Sequence, residues 1–282
     1  MKKIGFIDLS LDEWHANNYP NWFRTSRFRE EFTIAGAWEE KPGTRPLEVW
    51  CGKMQISPFR SQEKLIEACD AFCVLAPSNP EKHEELAHAV LASGKPVFID
   101  KPFAPDGAAA ERLFARADQF HTPLFSSSAL RFGTELIEAR GKFHAEYMET
   151  EGGGSSFWEY AIHQLEMIVS VMGPGIESLL HTKIANADHV VFRFGDGRRA
   201  AMTLHPKLGF SARILGRDDA VQIPKLSSMF PNLIDAMLEF FRTGIPPVDR
   251  AETIHIAHVL RTAIDAEKQP DQWIRISYRF GN

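Results

Sequence analysis

Lys3-Ile4-Gly5-Phe6-Ile7, Phe32-Thr33-Ile34-Ala35-Gly36-Ala37-Trp38, Ala71-Phe72-Cys73-Val74-Leu75 and Val97-Phe98-Ile99 are short apolar blocks that each read as a strand. The last, three bulky apolar residues in a row, has the continuous apolarity of a strand buried on both faces. Between the blocks, residues 11–23, 61–68 and 80–92 carry helical character. The third of these is well punctuated, with Asn79 as a natural N-cap, Pro80 at the first helical position and Gly94 as the stop. Strands alternating with helices predict a right-handed, doubly wound parallel sheet. Its crevice lies at the carboxyl ends of the strands and would gather residues 8–13, 38–39, 76–79 and 100–102.

Beyond His121-Thr122-Pro123 the pattern changes. Residues 142–150 alternate as a strand, Gly152-Gly153-Gly154 is a flexible joint, and Phe157 to Met172 is a long, mostly apolar helix. Strands follow at 178–185, 189–194, 199–205, 212–215 and 220–223, with Gly195-Asp196-Gly197 as a hairpin turn. Helices at 232–243 and 251–266 and a strand at 273–276 close the pattern. Strands without intervening helices imply an α+β domain with a mainly antiparallel sheet. The expected division is a cofactor-type α/β domain at 1–122 and an α+β substrate and oligomerisation domain at 123–282.

Composition narrows the function classes. The 282 residues are 44% hydrophobic and 24% charged, which suits a globular chain with a sizeable core. A net charge of −5 without a basic stripe argues against a nucleic-acid partner. Asp8 interrupts the only N-terminal apolar run, so no signal peptide is expected, and no run approaches the ~20 residues of a membrane span. Cys51, Cys69 and Cys73, odd in number and scattered, point to buried thiols and a reduced, cytoplasmic setting.

The candidate chemistry is concentrated in a few places. Lys101 follows the buried block 97–99 and precedes Pro102, which forbids continuing the ladder, so an ammonium stands at a strand's carboxyl end. Glu159 and His163 are four apart on one helix face, where a carboxylate would orient an imidazole for proton transfer; Ser156 to Glu159 also reads as a capping box. Glu39, after the second strand, suits an acceptor for a ribose hydroxyl. The turn after the first strand is discordant. A dinucleotide turn places three glycines there, and this chain has Asp8, Ser10 and Glu13. Ser10-Leu11-Asp12-Glu13 is a capping box instead, with carboxylates that repel a pyrophosphate. His83 and His88 are five apart, one too many for a zinc-binding helix face, so no metal is predicted.

Together, Ala76-Pro77 with His83, the stretch Gly94-Lys95-Pro96-Val97-Phe98-Ile99-Asp100-Lys101-Pro102, the motif Glu159-Tyr160-Ala161-Ile162-His163 and the run from Phe230 to Phe241 with Gly244 and Pro247 resemble the glucose–fructose oxidoreductase/inositol dehydrogenase (Gfo/Idh/MocA) family over nearly the whole chain. The resemblance implies a Rossmann-like first domain and hydride transfer between NAD or NADP and a sugar- or cyclitol-like alcohol. Lys101 would touch the substrate hydroxyl or the nicotinamide, and His163 would be the general acid/base, oriented by Glu159. Ser10, Glu39, Pro77 and Asn79 would join Lys101 at the cofactor, and Arg131 would contact substrate or support the pocket. A cytoplasmic homo-oligomer, packed through the second domain's sheet, is also implied. Asp100 and Glu159 depart from the family pattern by one methylene each, and the missing glycines leave two alternatives open: a cofactor-free binding or regulatory protein, or a redox-neutral lyase or epimerase.

Overall fold

The computed structural model describes residues 1–142 and 144–277. The chain divides into two compact units, one of Met1–Pro105, Ala109–Ser127 and Leu233–Arg250, the other of Asp106–Ala108, Ser128–Asn232 and Ala251–Asn282. The expected linear division at 122/123 thus becomes a discontinuous one, because Leu233–Arg250 returns to the first unit.

The first unit is built on a sheet of six parallel strands, β1 (Lys2–Asp8), β2 (Phe32–Glu39), β3 (Ser57–Pro58), β4 (Ala71–Val74), β5 (Val97–Ile99) and β6 (Leu124–Phe125). Their spatial order is β3-β2-β1-β4-β5-β6, the doubly wound arrangement, with its reversal point between β1 and β4. The helices are α1 (Trp14–Thr25), α2 (Leu47–Met54), α3 (Gln62–Ala68), α4 (His83–Ala87) and α5 (Gly107–Gln119). All three residues of β5 are fully buried, as their unbroken apolarity requires.

Two local expectations are corrected. The first helix begins at Trp14, not Leu11, and its N-cap is Glu13 rather than Ser10. The stretch 80–92 is not one helix: a 3-10 turn at Pro80–Lys82, the short α4 and another 3-10 turn at Val90–Ser93 share it, and Asn79 makes no side-chain cap bond. One helix has no counterpart in the expected pattern: α2 spans Leu47–Met54, and its apolar residues Leu47, Trp50, Cys51 and Met54 recur at helical spacing and are buried.

The second unit holds α6 (Thr134–Ala139), β7 (Tyr147–Gly152), α7 (Phe157–Met172), β8 (Ile176–Ile184), β9 (Ala187–Phe194), β10 (Arg199–Leu204), β11 (Ser211–Leu215) and β12 (Ala220–Ile223). Then come α8 (Met229–Thr243), most of which belongs to the first unit, α9 (Arg250–Ala266) and β13 (Trp273–Arg275). Phe143, inside the strand expected at 142–150, lies outside the described residues. The seven strands run β12-β11-β7-β10-β9-β8-β13, antiparallel except for the β7–β10 pair. One face carries α7, tied down by the fully buried Gln164, which accepts from the Thr150 hydroxyl (2.9 Å) and donates to the Thr203 carbonyl (3.1 Å).

His255 on α9 joins that helix to the start of β8. Its Nε2 accepts from the backbone N–H groups of Gly175 (3.3 Å) and Ile176 (3.0 Å) and must be unprotonated to do so. Burial, and His258 beside it, bring its pKa down to about 4. The unfolded chain's histidine, titrating near the usual ~6.5, binds the proton first, so this stability is present above that pH and is lost as the pH falls. The expected slope is about 1.4 kcal/mol per pH unit between roughly 6.5 and 4. Urea unfolding at stepped pH checks it, and a His255→Gln chain should show a flatter acid limb.

Candidate active site

The carboxyl ends of β1, β4 and β5 bring together most of the chemistry of the first unit. Asp8, the last residue of β1, is 1% exposed, and burial, with Glu13 as a second charge, pushes its carboxyl well above the ordinary range. Its Oδ1 accepts from the N–H groups of Ser10 (3.2 Å) and Ala76 (3.1 Å). Ala76 has a left-handed backbone (φ 60°), unusual for a residue with a Cβ and followed here by Pro77, so Asp8 braces a strained turn at the end of β4. From that turn the Pro77 carbonyl accepts from Lys101 Nζ at 3.3 Å. His83 lies beneath it, its ring nitrogens 2.6 Å from the Leu75 carbonyl and 3.0 Å from that of Phe103.

Lys101 is 6% exposed and follows Asp100, which is fully buried. Asp100 accepts from His15 Nδ1 on α1 and from the Lys101 backbone N–H (2.8 Å). Burial works against ionising it, but the His15 ring and the Lys101 charge outweigh burial and hold its pKa below the usual range. Tyr19 stacks on His15, with ring centroids 5.0 Å apart. Asp100 is therefore the anchor between α1 and the lysine, 85 positions from its imidazole partner.

The turn from β1 into α1 binds its own side chains. Glu13 caps α1, accepting from the N–H of His15 (2.6 Å) and of Ala16. Glu39 accepts from the Leu11 N–H at 3.0 Å. Asp12 pairs with Arg45, which holds its carboxyl below the usual range. The loop carrying Arg45 closes directly over the turn, for a Cβ on Gly43 would lie 2.5 Å from Ser10 Oγ and 2.9 Å from Asp12 Cβ. Asn79, five residues past the β4 end, donates its side-chain amide to Glu81 (2.9 Å).

In the second unit, Glu159 and His163 lie one turn apart on α7, both half-buried. The partner of His163 Nδ1 is the Ser128 hydroxyl at 2.7 Å, and Tyr160 and Phe210 flank the ring. Ser156 occupies the N-cap of α7, but its hydroxyl makes no cap bond, so the expected capping box does not form. Arg131 is 4% exposed and held by two carboxylates: Nε donates to Glu166 and Nη1 to Glu252, each at 2.5 Å. Burial opposes its charge, but the two carboxylates more than compensate and raise its pKa.

The first unit thus assembles Lys101, Ser10, Glu39, Pro77 and Asn79 around neighbouring strand ends, and the second holds His163, Glu159 and Arg131. Neither the pairing of His15 with Asp100 in the first unit nor that of Ser128 with His163 in the second is legible in the sequence. Pairs separated by 85 or 35 positions leave no periodic trace. Among the described residues, Cys51, Cys69 and Cys73 are free and buried, and no helix is long and apolar enough to cross a membrane.

Residues 16–127 match the model of an oxidoreductase family with an NAD-binding Rossmann fold, a match that begins just after the divergent turn. The chain is 29% identical over 141 residues to the dehydrogenase aclE of Aspergillus oryzae, covering 49% of this chain and 38% of that protein. It is 24% identical over 172 residues to the myo-inositol 2-dehydrogenase of Thermotoga maritima, covering 54% and 51%. These alignments span about half or less of either relative. The fold is similar to that of the WlbA dehydrogenase of Bordetella pertussis, solved with NADH and UDP-GlcNAcA, at a TM-score of 0.76 and 15% identity over 98% of this chain and 99% of that one.

Proposed function

We propose, from the premise that the chain belongs to the Gfo/Idh/MocA oxidoreductase family, that it is an NAD(P)-dependent oxidoreductase acting on a hydroxyl of a sugar- or cyclitol-like substrate. The observation that carries this reading is Lys101, a nearly buried ammonium at the carboxyl end of β5, inside the segment that matches the family. In this reading Lys101 polarises the substrate hydroxyl, with the Pro77 carbonyl and Asp100 positioning it. His163 exchanges the hydroxyl proton, its Nδ1 steered by Ser128, with Glu159 one turn away on the same face. Arg131 serves as a buried support. Glu39 and Asn79 remain the candidates for the adenosine side of the cofactor. The reading includes a cytoplasmic homo-oligomer packed through the sheet of the second unit.

A pyrophosphate does not fit the β1–α1 turn as it stands. The amides that would hold it are engaged by Asp8, Glu13 and Glu39. That observation favours a second reading, redox-neutral or cofactor-free use of the same Lys101 and His163. Fluorescence titration with NADH and NADPH, followed by NAD(P)-reduction assays on a panel of sugars and cyclitols, separates the two. Cofactor binding and a rise in nicotinamide absorbance are expected. No binding at millimolar cofactor leaves the binding-protein reading, and turnover without an absorbance change leaves the lyase or epimerase.

A further inference from the structure

His181 on β8, Asp188 at the start of β9 and Glu267 just past α9 bring one ring nitrogen and two carboxylate oxygens within 4.8 Å of one another in the second unit. His181 and Asp188 are 2% and 7% exposed, while Glu267 lies at the surface. The sequence predicts no metal and shows no trace of this cluster, because two strands and a helix end contribute one residue each.

The tautomer of His181 decides what the cluster can hold. The last turn of α9 leaves the Ala263 carbonyl over, since the Glu267 N–H goes to the Ile264 carbonyl instead (3.3 Å). His181 Nδ1 meets the Ala263 carbonyl at 3.3 Å, and a carbonyl only accepts, so Nδ1 carries the proton. Neutral His181 therefore turns the lone pair of Nε2 toward Asp188 Oδ1, 2.8 Å away. Two lone pairs that close need a cation between them. An imidazole whose far N–H is held by a main-chain carbonyl is also how proteins orient histidine ligands of metals. Glu267 adds a second carboxylate, without a hydrogen-bond or ion-pair partner among the described residues, and the end of α9 adds the negative pole of its dipole. Lys183, opposite Asp188 in the strand pair, already sets its ammonium 2.5 Å from Asp188 Oδ1, so the position draws positive charge. Its side chain is 58% exposed and can swing into water.

We propose that His181, Asp188 and Glu267 form a site for a zinc-type divalent ion, with water as its fourth ligand. One imidazole and two carboxylates with an open position suit zinc, whereas Mg²⁺ and Ca²⁺ prefer shells of oxygen alone. Seating the ion widens the Nε2–Oδ1 distance from 2.8 Å to the ~3.3 Å between two ligands of a tetrahedral zinc, and Lys183 gives up its place on Asp188. The ion clamps the end of α9 to the β8–β9 hairpin. It also fixes the His181 ring against Phe157, the first residue of α7, whose centroid lies 4.6 Å away. The site asks nothing of the first unit, so it stands apart from the NAD(P)-dependent reading.

Calorimetric titration of the chelator-treated full chain with Zn²⁺ tests the proposal. The expected result is one ion bound per chain and a higher Tm for the loaded chain than for the stripped one. The three thiols are buried and do not compete. Glu267→Gln, at an exposed position, should leave the Tm of the stripped chain unchanged and weaken Zn²⁺ binding by at least about tenfold, the smallest loss that even an outer partner of a metal ligand causes. Asp188→Asn should weaken it further, and Lys183→Met, which removes the competing ammonium, should tighten it. Co²⁺ in place of Zn²⁺ should give the strong visible absorption of a four-coordinate ion, and Mg²⁺ should not displace Zn²⁺. No Zn²⁺ uptake by the parent overturns the proposal, because a second ring proton then fills the gap. Uptake of equal affinity in the parent, Glu267→Gln and Lys183→Met overturns it too, for the ion is then adventitious.

Discussion

Replacing Arg131 with methionine is expected to lower stability by about 3–5 kcal/mol, the scale on which buried ion pairs respond to losing one partner. Arg131 is almost fully enclosed and answers two carboxylates, of which Glu166 is 4% exposed at the side chain and Glu252 23%. Its loss strands Glu166 in a medium that cannot solvate it, while Glu252 can turn toward water. Denaturant titration should show the midpoint falling at unchanged m. The double replacement Arg131→Met with Glu166→Met should recover most of the loss, because the cost lies in the unpaired charge. If the single variant is as stable as the parent, the triad is not what holds the 3-10 turn at Ala129–Phe132 to α7 and α9.

Lys101→Met is expected to reduce turnover by roughly 10²–10⁴-fold, the range over which a positioned proton-handling or polarising group contributes. Methionine fills a similar volume without the ammonium. Asp100 keeps His15 and the residue-101 backbone N–H as partners, so the fold of the first unit should survive. The comparison uses the sugar or cyclitol giving the strongest nicotinamide signal with the parent chain. Lost kcat with retained NADH affinity supports a role at the substrate hydroxyl. A variant with parental kcat removes Lys101 from the chemistry.

Most of the architecture is legible in the sequence because it is written in local periodicity. The unbroken run Val97–Ile99 announces a doubly buried strand, and α7 falls on its expected residues, ended by Gly173 in a left-handed conformation. Where local signals compete, the sequence alone does not choose between them. Ser10 and Glu13 both suit a helix start, and the longer Glu13 side chain, able to reach two amides at once, takes the cap. The site is less legible than the fold. Lys101 and His163 are visible because their residue types are unusual at a strand end and on an apolar helix. Their supports, Asp100 with His15 and Ser128, are joined only through the folded chain. That Arg131 is a buried support and not a surface contact is likewise a fact of its surroundings: Glu252 lies 121 positions away.

The return of Leu233–Arg250 to the first unit has a consequence for how the protein is made. Phe240 of α8 meets Phe125 of β6 edge-on at 4.8 Å, Met237 meets Cys73 of β4, and Asp235 accepts from Ser26. A nascent chain that has delivered all six parallel strands from the ribosome still lacks the helix that roofs them, and more than a hundred residues must be translated before it arrives. A fragment cut after residue 127 would therefore be sticky rather than autonomous. Biosynthesis of this protein leaves its opening sheet waiting, bare on that side, for a late piece of its own sequence.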